Sequence, residues 1–315
     1  MRKLQTISRQ TYFVKTDILL ESRILPLNIK PCCRTFFSFS LAGLFLSIFS
    51  YYSLKIYFNA QKSEQFNELI VKYSRGAKTI IKYREGIPEH HIALANGYTK
   101  LSSELHGFEV HLFTLPKWMF SIVATVENFS LWYFSKDIFQ IRESLLIEAI
   151  EEHIKLVKCE PTSLDIHAAL ANAYVILSGL YLKAKHEELA KQNSSFEYEQ
   201  ELDTKFRLTA EKAIEEFKIL NDFAPNDPWV HTQLAYSYRD LKMPEEEIAE
   251  YEIILKLRPD DVETLFKLGC LYFQQGRNSN GLRVYEKIKN VNFKKAEQLI
   301  SFYGSVNTNI LVGDF

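Results

Sequence analysis

A catalytic or metal centre in this chain would have to draw on its eight His, its four Cys and its carboxylates. Metal ligation needs those side chains to converge at set spacings. Neighbouring residues on a helix point to different faces, so the adjacent pair His90-His91 cannot chelate one ion from one helix. Nucleophilic and phosphate chemistry leave recognisable strings, and none is present: no His-Glu-x-x-His, Gly-x-Ser-x-Gly, Walker loop or Gly-rich dinucleotide fingerprint. Asp260-Asp261 and the string Pro225-Asn226-Asp227-Pro228 fall between apolar periodic segments, where carboxylates cap helices and Pro makes turns. Cys159 and Cys270 have no metal-ligand spacing. Cys32 and Cys33 precede an apolar stretch, which leaves S-palmitoylation open beside no function at all. The expectation is a non-enzyme with no catalytic residue, no metal and no cofactor.

His91, His167 and His231 are placed too regularly for accident. Each stands three residues before a Leu, at Leu94, Leu170 and Leu234. Around those leucines one pattern recurs: Ala-Leu-Ala-Asn-Gly-Tyr at 93–98, Ala-Leu-Ala-Asn-Ala-Tyr at 169–174, Leu-Ala-Tyr-Ser-Tyr at 234–238 and Leu-Gly-Cys-Leu-Tyr at 268–272. Downstream of each comes a second set: Ala149, His153, Leu156 and Pro161; Ala213, Phe217, Leu220 and Pro225; Tyr251, Ile254 and Pro259; Gly281, Tyr285 and Ile288, with Phe293 where Pro is expected. The step from Leu234 to Leu268 falls among the periods typical of repeat arrays. Internal repetition at such a period implies stacked supersecondary units, none of which buries its apolar face alone.

The pattern resembles the tetratricopeptide repeat, a 34-residue helix–turn–helix unit, and the step from Leu234 to Leu268 equals that period. The resemblance covers 64–303 and is most specific over 162–293. It implies an all-α, α-α superhelix. The small residues Ala95, Ala171, Ala235 and Gly269 would lie where helices cross, with Tyr98, Tyr174, Tyr238 and Tyr272 between neighbouring units. The three regular His occupy the family's aromatic position, which makes them packing residues. The first two units are stretched: the step from Leu94 to Leu170 is more than twice the period, and that from Leu170 to Leu234 nearly twice. Each excess falls between the two helices of its unit, as insertions at about 107–140 and 180–205. Gly76, Ile80, Tyr83 and Pro88 read as a lone second helix upstream. Three pairings fit helix starts: Asp227 before Pro228, Asp260 with Glu263, and Ser194 with Glu197.

The insertions differ. Residues 180–205 are charged and read as solvated extensions of two long helices. Residues 107–140 are apolar and aromatic, with Pro116 as a break and a helix expected near 117–134 carrying Trp118, Ile122, Val126, Phe129 and Tyr133 on one face. A packed helical hairpin, an exposed apolar surface and a second membrane span all remain open.

The resemblance also implies a concave groove lined by set positions of each first helix. In the second unit these are Asp165, Ala168, Asn172, Val175 and Ile176. In the third they are Trp229, Thr232, Tyr236, Arg239 and Asp240, and in the fourth Glu263, Phe266, Cys270, Phe273 and Gln274. The groove expected to bind a protein or peptide partner is therefore Asn172, Val175, Ile176, Trp229, Tyr236, Arg239, Phe266, Phe273 and Gln274. Trp, Tyr and Arg are enriched at binding hot spots. A C-terminal capping helix over 294–303 could cover some of the aromatics. Asn96 and Asn172 match a position that clamps a peptide carboxylate in chaperone-binding relatives. The basic residues that clamp also needs are replaced by Ile92, Thr232 and Tyr236, so no clamp is expected.

Charge is uneven under a net of −1. Residues 1–34 carry seven Lys or Arg against Asp17 and Glu21. The stretch 35–54 that follows carries no charge. About 20 apolar residues span a bilayer as a helix, and Tyr51, Tyr52 and Tyr57 suit an interfacial belt. The apolar core is long and late for a signal peptide. The division expected is a basic cytoplasmic tail (1–34), a transmembrane helix (35–58), the repeats (64–303) and a C-terminal tail (304–315). The positive-inside rule puts the repeats outside the cytoplasm, in a periplasm or a lumen. No basic stripe with interleaved aromatics lies beyond the tail, so no nucleic-acid partner is expected. The functional expectation is a membrane-anchored scaffold binding a protein partner. The alternative is a secretion chaperone or cytosolic adaptor whose apolar segment packs on a partner or membrane.

Overall fold

The computed structural model describes residues 31–112, 122–189 and 196–312. These form helices α1 (Pro31–Ile80), α2 (Pro88–Glu104), α3 (Val123–Cys159), α4 (Leu164–Leu189), α5 (Phe196–Phe223), α6 (Pro228–Asp240), α7 (Pro244–Leu257), α8 (Val262–Gln274), α9 (Asn278–Val291) and α10 (Phe293–Val312), with a 3₁₀ turn at Phe108–His111. No strand occurs among the described residues. The chain divides into two units, 1–66 and 67–315.

In the first unit every residue from 37 to 60 is exposed, including Phe39, Phe45 and Phe49. The described residues hold two helical stretches long and apolar enough to cross a membrane, Phe37–Ile80 and Leu164–Glu187. The second of these is half-buried among the repeats, while the apolar window of the first has no buried residue.

The second unit is an array of helical hairpins, α2/α3, α4/α5, α6/α7 and α8/α9, closed by α10. The repeat positions form its core. Ala95, Ala171 and Ala235 are wholly inaccessible, as are Ala149, Phe217 and Ile288 on the second helices. Gly269 lies at a close crossing: a Cβ there would meet Leu299 Cδ2 at 2.7 Å, and Leu299, itself fully buried, would have to shift. Burying one such leucine contributes about 1.5–3 kcal/mol.

Local chemistry sets the hairpin boundaries. Pro88, Pro228 and Pro244 open helices where a missing N–H does no harm. Asp227 accepts from Trp229 N at 2.9 Å. At α8 the cap is Asp261, not the expected Asp260. Its carboxylate accepts from Glu263 N (3.1 Å) and Thr264 N (3.3 Å), two of the orphan N–H groups of a first turn. Asp260 sits one residue back in the turn. Lys242 (φ 59°) and Gly276 (φ 68°) hold the same left-handed position, one repeat period apart, in the turns α6–α7 and α8–α9. Both turns close with paired bonds, Met243 N to Tyr238 O (2.9 Å) and Arg277 N to Tyr272 O (2.8 Å).

Several expectations are corrected. The later part of the first insertion is continuous with the second helix of its unit: from Val123 the chain runs unbroken to Cys159 as the 37-residue α3. Helix α3 is not among the stretches long and apolar enough to span a membrane. Pro116 and Trp118 lie outside the described residues, as does Ser194. The second insertion does extend two helices, yet Leu180, Tyr181, Leu202 and Phe206 are buried between them. Before α2, Gly76 and Ile80 are exposed. The face that packs is Ile70, Tyr73, Ala77 and Ile81, a different helical register. The capping helix continues to Val312, past the expected end at 303, so most of the expected tail is helical.

Candidate functional site

The expected groove residues of the second and third units lie on α4 and α6. Asn172 and Ile176 are exposed and Val175 is half-buried. Trp229 stands 41% exposed, its ring edge-on to Phe217 at 6.1 Å. Tyr236 lies between two cations: the Arg239 guanidinium is 4.9 Å from the ring centre and Lys267 Nζ is 4.8 Å away. Lys267 Nζ also donates to Tyr236 Oη at 2.7 Å. A cavity of about 230 Å³ opens beside it, lined by Val175, Ser178, Gln233, Tyr236, Arg239 and Asp240 among others. Ala210 and Ala213 on α5 keep its back wall shallow. A cation laid on a phenol over small side chains suits an apolar group next to a carboxylate or carbonyl.

The fourth unit departs from expectation. Phe273 is not a groove residue: it is 2% exposed and packs against Tyr303 of α10, ring centres 4.6 Å apart. The physical reason is Gly281, which leaves room for that ring; a Cβ there would run into it. Phe266 is half-buried under Lys295 Nζ, 4.9 Å from its ring centre, and Lys295 also pairs with Glu263 at 2.8 Å. Cys270, on the same face, is half-buried, and burial pushes its thiol up to about 11. Gln274 is exposed. The α10 helix therefore covers Phe273 and part of Phe266 on α8, while Gln274 and the expected groove residues on α4 and α6 stay at least partly accessible.

The repeat pattern gives the regular His a packing role but does not supply their partners. Each pairs with a Glu on the second helix of its own unit: His91 with Glu152 (2.6 Å), His167 with Glu216 (2.7 Å) and His231 with Glu250 (2.6 Å). In the last two, Nε2 also faces a carbonyl, Pro161 O at 3.0 Å and Pro225 O at 2.9 Å. A carbonyl only accepts, so in both pairs Nε2 is the donor and Nδ1 faces the carboxylate. Burial alone would lower His167, but the bonds to Glu216 and to the Pro161 carbonyl outweigh it and raise it. Burial alone would raise Glu152, yet the bonds from Lys155 and His91 hold it low. The signal available in the sequence is a Glu on each second helix at the right depth. Among the described residues no group of three or more His, Cys, Asp or Glu could hold a metal ion.

The class defined by these hairpins is an all-α array of helical repeats, with the sequence repeat's small positions buried at its helix crossings. Among solved structures the chain is similar to a thermophilic TPR protein of Thermus thermophilus. The likeness has 19% identity and a TM-score of 0.33, and covers 68% of this chain and 99% of that one. No protein-family model matches the chain and no curated protein matches it in sequence.

Proposed function

We propose that the chain is a membrane-anchored scaffold that binds a protein or peptide partner in the α4/α6 part of its groove. The observation that carries this reading is the cavity at Tyr236, whose lining includes Val175, Tyr236 and Arg239. Asn172, Ile176 and Trp229 extend the same surface as exposed side chains. The fully exposed apolar helix at 37–60 supports the anchor, and the basic tail before it supports a cytoplasmic N-terminus with the repeats on the other side. The aromatic start of α3, where Phe129 is 53% and Trp132 73% exposed, supports a further contact with the bilayer or the partner.

The test is the double variant Trp229→Ala/Tyr236→Ala in the full chain. Removing two hot-spot aromatics is expected to weaken partner binding by about 2 kcal/mol or more, roughly thirtyfold. Melting should stay cooperative, because neither ring is a fully buried core residue: Trp229 is 41% exposed and Tyr236 half-buried. Unchanged capture of the partner by a folded variant would contradict the groove assignment.

A further inference from the structure

A second cavity, of about 470 Å³, opens between α7, α8 and α9 and shares no residue with the cavity at Tyr236. Its floor is apolar, built from Leu255, Leu265, Leu268 and Val284. Its rim is basic. Arg283 and Lys287 stand four residues apart on α9, and Lys256 stands across the opening on α7, all three exposed. Among the described residues none of the three side chains makes an ion pair or a hydrogen bond. The lining has one carboxylate, Glu252, which is already engaged by the Tyr272 hydroxyl at 2.6 Å. Like charges at i, i+4 disfavour a helix, so Arg283 and Lys287 bring α9 no local stability.

We propose that this cavity docks an acidic segment of a partner protein, with one apolar side chain on the leucine floor and flanking Asp or Glu on the three cations. Charge complementarity selects the acid, since cations around a partly desolvated opening attract carboxylates and reject basic segments. The floor selects a peptide rather than a bare anion, because an anion would leave that apolar surface wet. The amide of Asn280, also in the lining, is placed to bond the peptide backbone. The site uses the 265/268/272 face of α8, whereas the 266/273 face lies toward α10. It is independent of the groove reading.

The experiment uses the full chain in uncharged detergent micelles. Three fluorescent peptides serve as probes: Glu-Glu-Leu-Phe-Glu-Glu, its Lys counterpart, and Glu-Glu-Ser-Ser-Glu-Glu. Saturable anisotropy binding is expected for the first alone, weakening as salt rises. Arg283→Glu/Lys287→Glu should lower its affinity at least tenfold and Arg283→Gln should lower it less, both with unchanged circular dichroism melts. Tyr236→Ala should leave it within twofold. The proposal is overturned if the first peptide does not bind, if the serine peptide binds equally, if charge reversal changes nothing, or if Tyr236→Ala abolishes binding. It is also overturned if phosphatidylserine vesicles, and not the peptide, are bound through Arg283 and Lys287.

Discussion

At the scale of residues, the His167–Glu216 pair makes stability depend on pH. His167 is raised in the folded chain, with Glu216 and the Pro161 carbonyl as its partners and Lys212 near Glu216. The folded state thus binds a proton more tightly than the unfolded state. The resulting stability is complete below the unfolded value of about 6.5 and is lost as pH rises through the higher folded value. Melting temperature should fall over that window. In Glu216→Gln a neutral imidazole can accept from the amide, so the slope at this site should flatten. A variant with the full wild-type slope would show that the His167 pair is not its source. Phe273 gives the complementary case of an aromatic that looks like a binding residue and packs as core. Phe273→Ala should destabilise by about 3–5 kcal/mol in a denaturant melt, and a loss below about 1 kcal/mol would return that ring to the groove.

At the scale of elements, the turns carry a testable blemish. Lys242 holds the left-handed conformation that Gly276 holds in the next unit. A side chain there costs about 1–2 kcal/mol, partly offset in the unfolded chain by glycine's entropy. Lys242→Gly should therefore stabilise by up to about 1 kcal/mol, read as a raised urea midpoint; a lowered midpoint would refute it. Elements are the most legible level of the sequence. The repeat period, the Ala and Tyr positions and the Pro starts put α4 to α9 in place, because small side chains at crossings and proline at first turns allow few alternatives. Legibility fails where a residue's fate depends on a distant partner. Its position in the repeat marks Phe273 for the groove, but the space left by Gly281 and the approach of Tyr303 put it inside. The upstream half-unit slips register because Gly76 and Ile80 fit the pattern while Ile70, Tyr73, Ala77 and Ile81 offer the better apolar stripe. The Glu partners of the regular His leave only a weak signal in the sequence, a Glu on each second helix, because a Glu on a helix face is ordinarily solvated. Of the expected groove, the residues on α4 and α6 stay accessible, and those on α8 are partly closed by α10.

At the scale of the whole molecule, the account joins two units with different surroundings. Residues 37–60 are exposed throughout and mostly apolar or aromatic, with Lys55 the one charge among them. Residues 67–315 bury theirs in the hairpin array and leave open cavities between the hairpins. Under the proposed topology the repeats would meet their partner on the side of the membrane away from the basic tail. The most direct measurement is a compartment-sensitive reporter fused after Phe315 in the full chain, read together with the detergent needed to release the protein from membranes. The account predicts an extracytoplasmic signal and release by detergent alone, not by high salt or alkaline carbonate. A cytoplasmic signal from the membrane-inserted chain, or release without detergent, would contradict it.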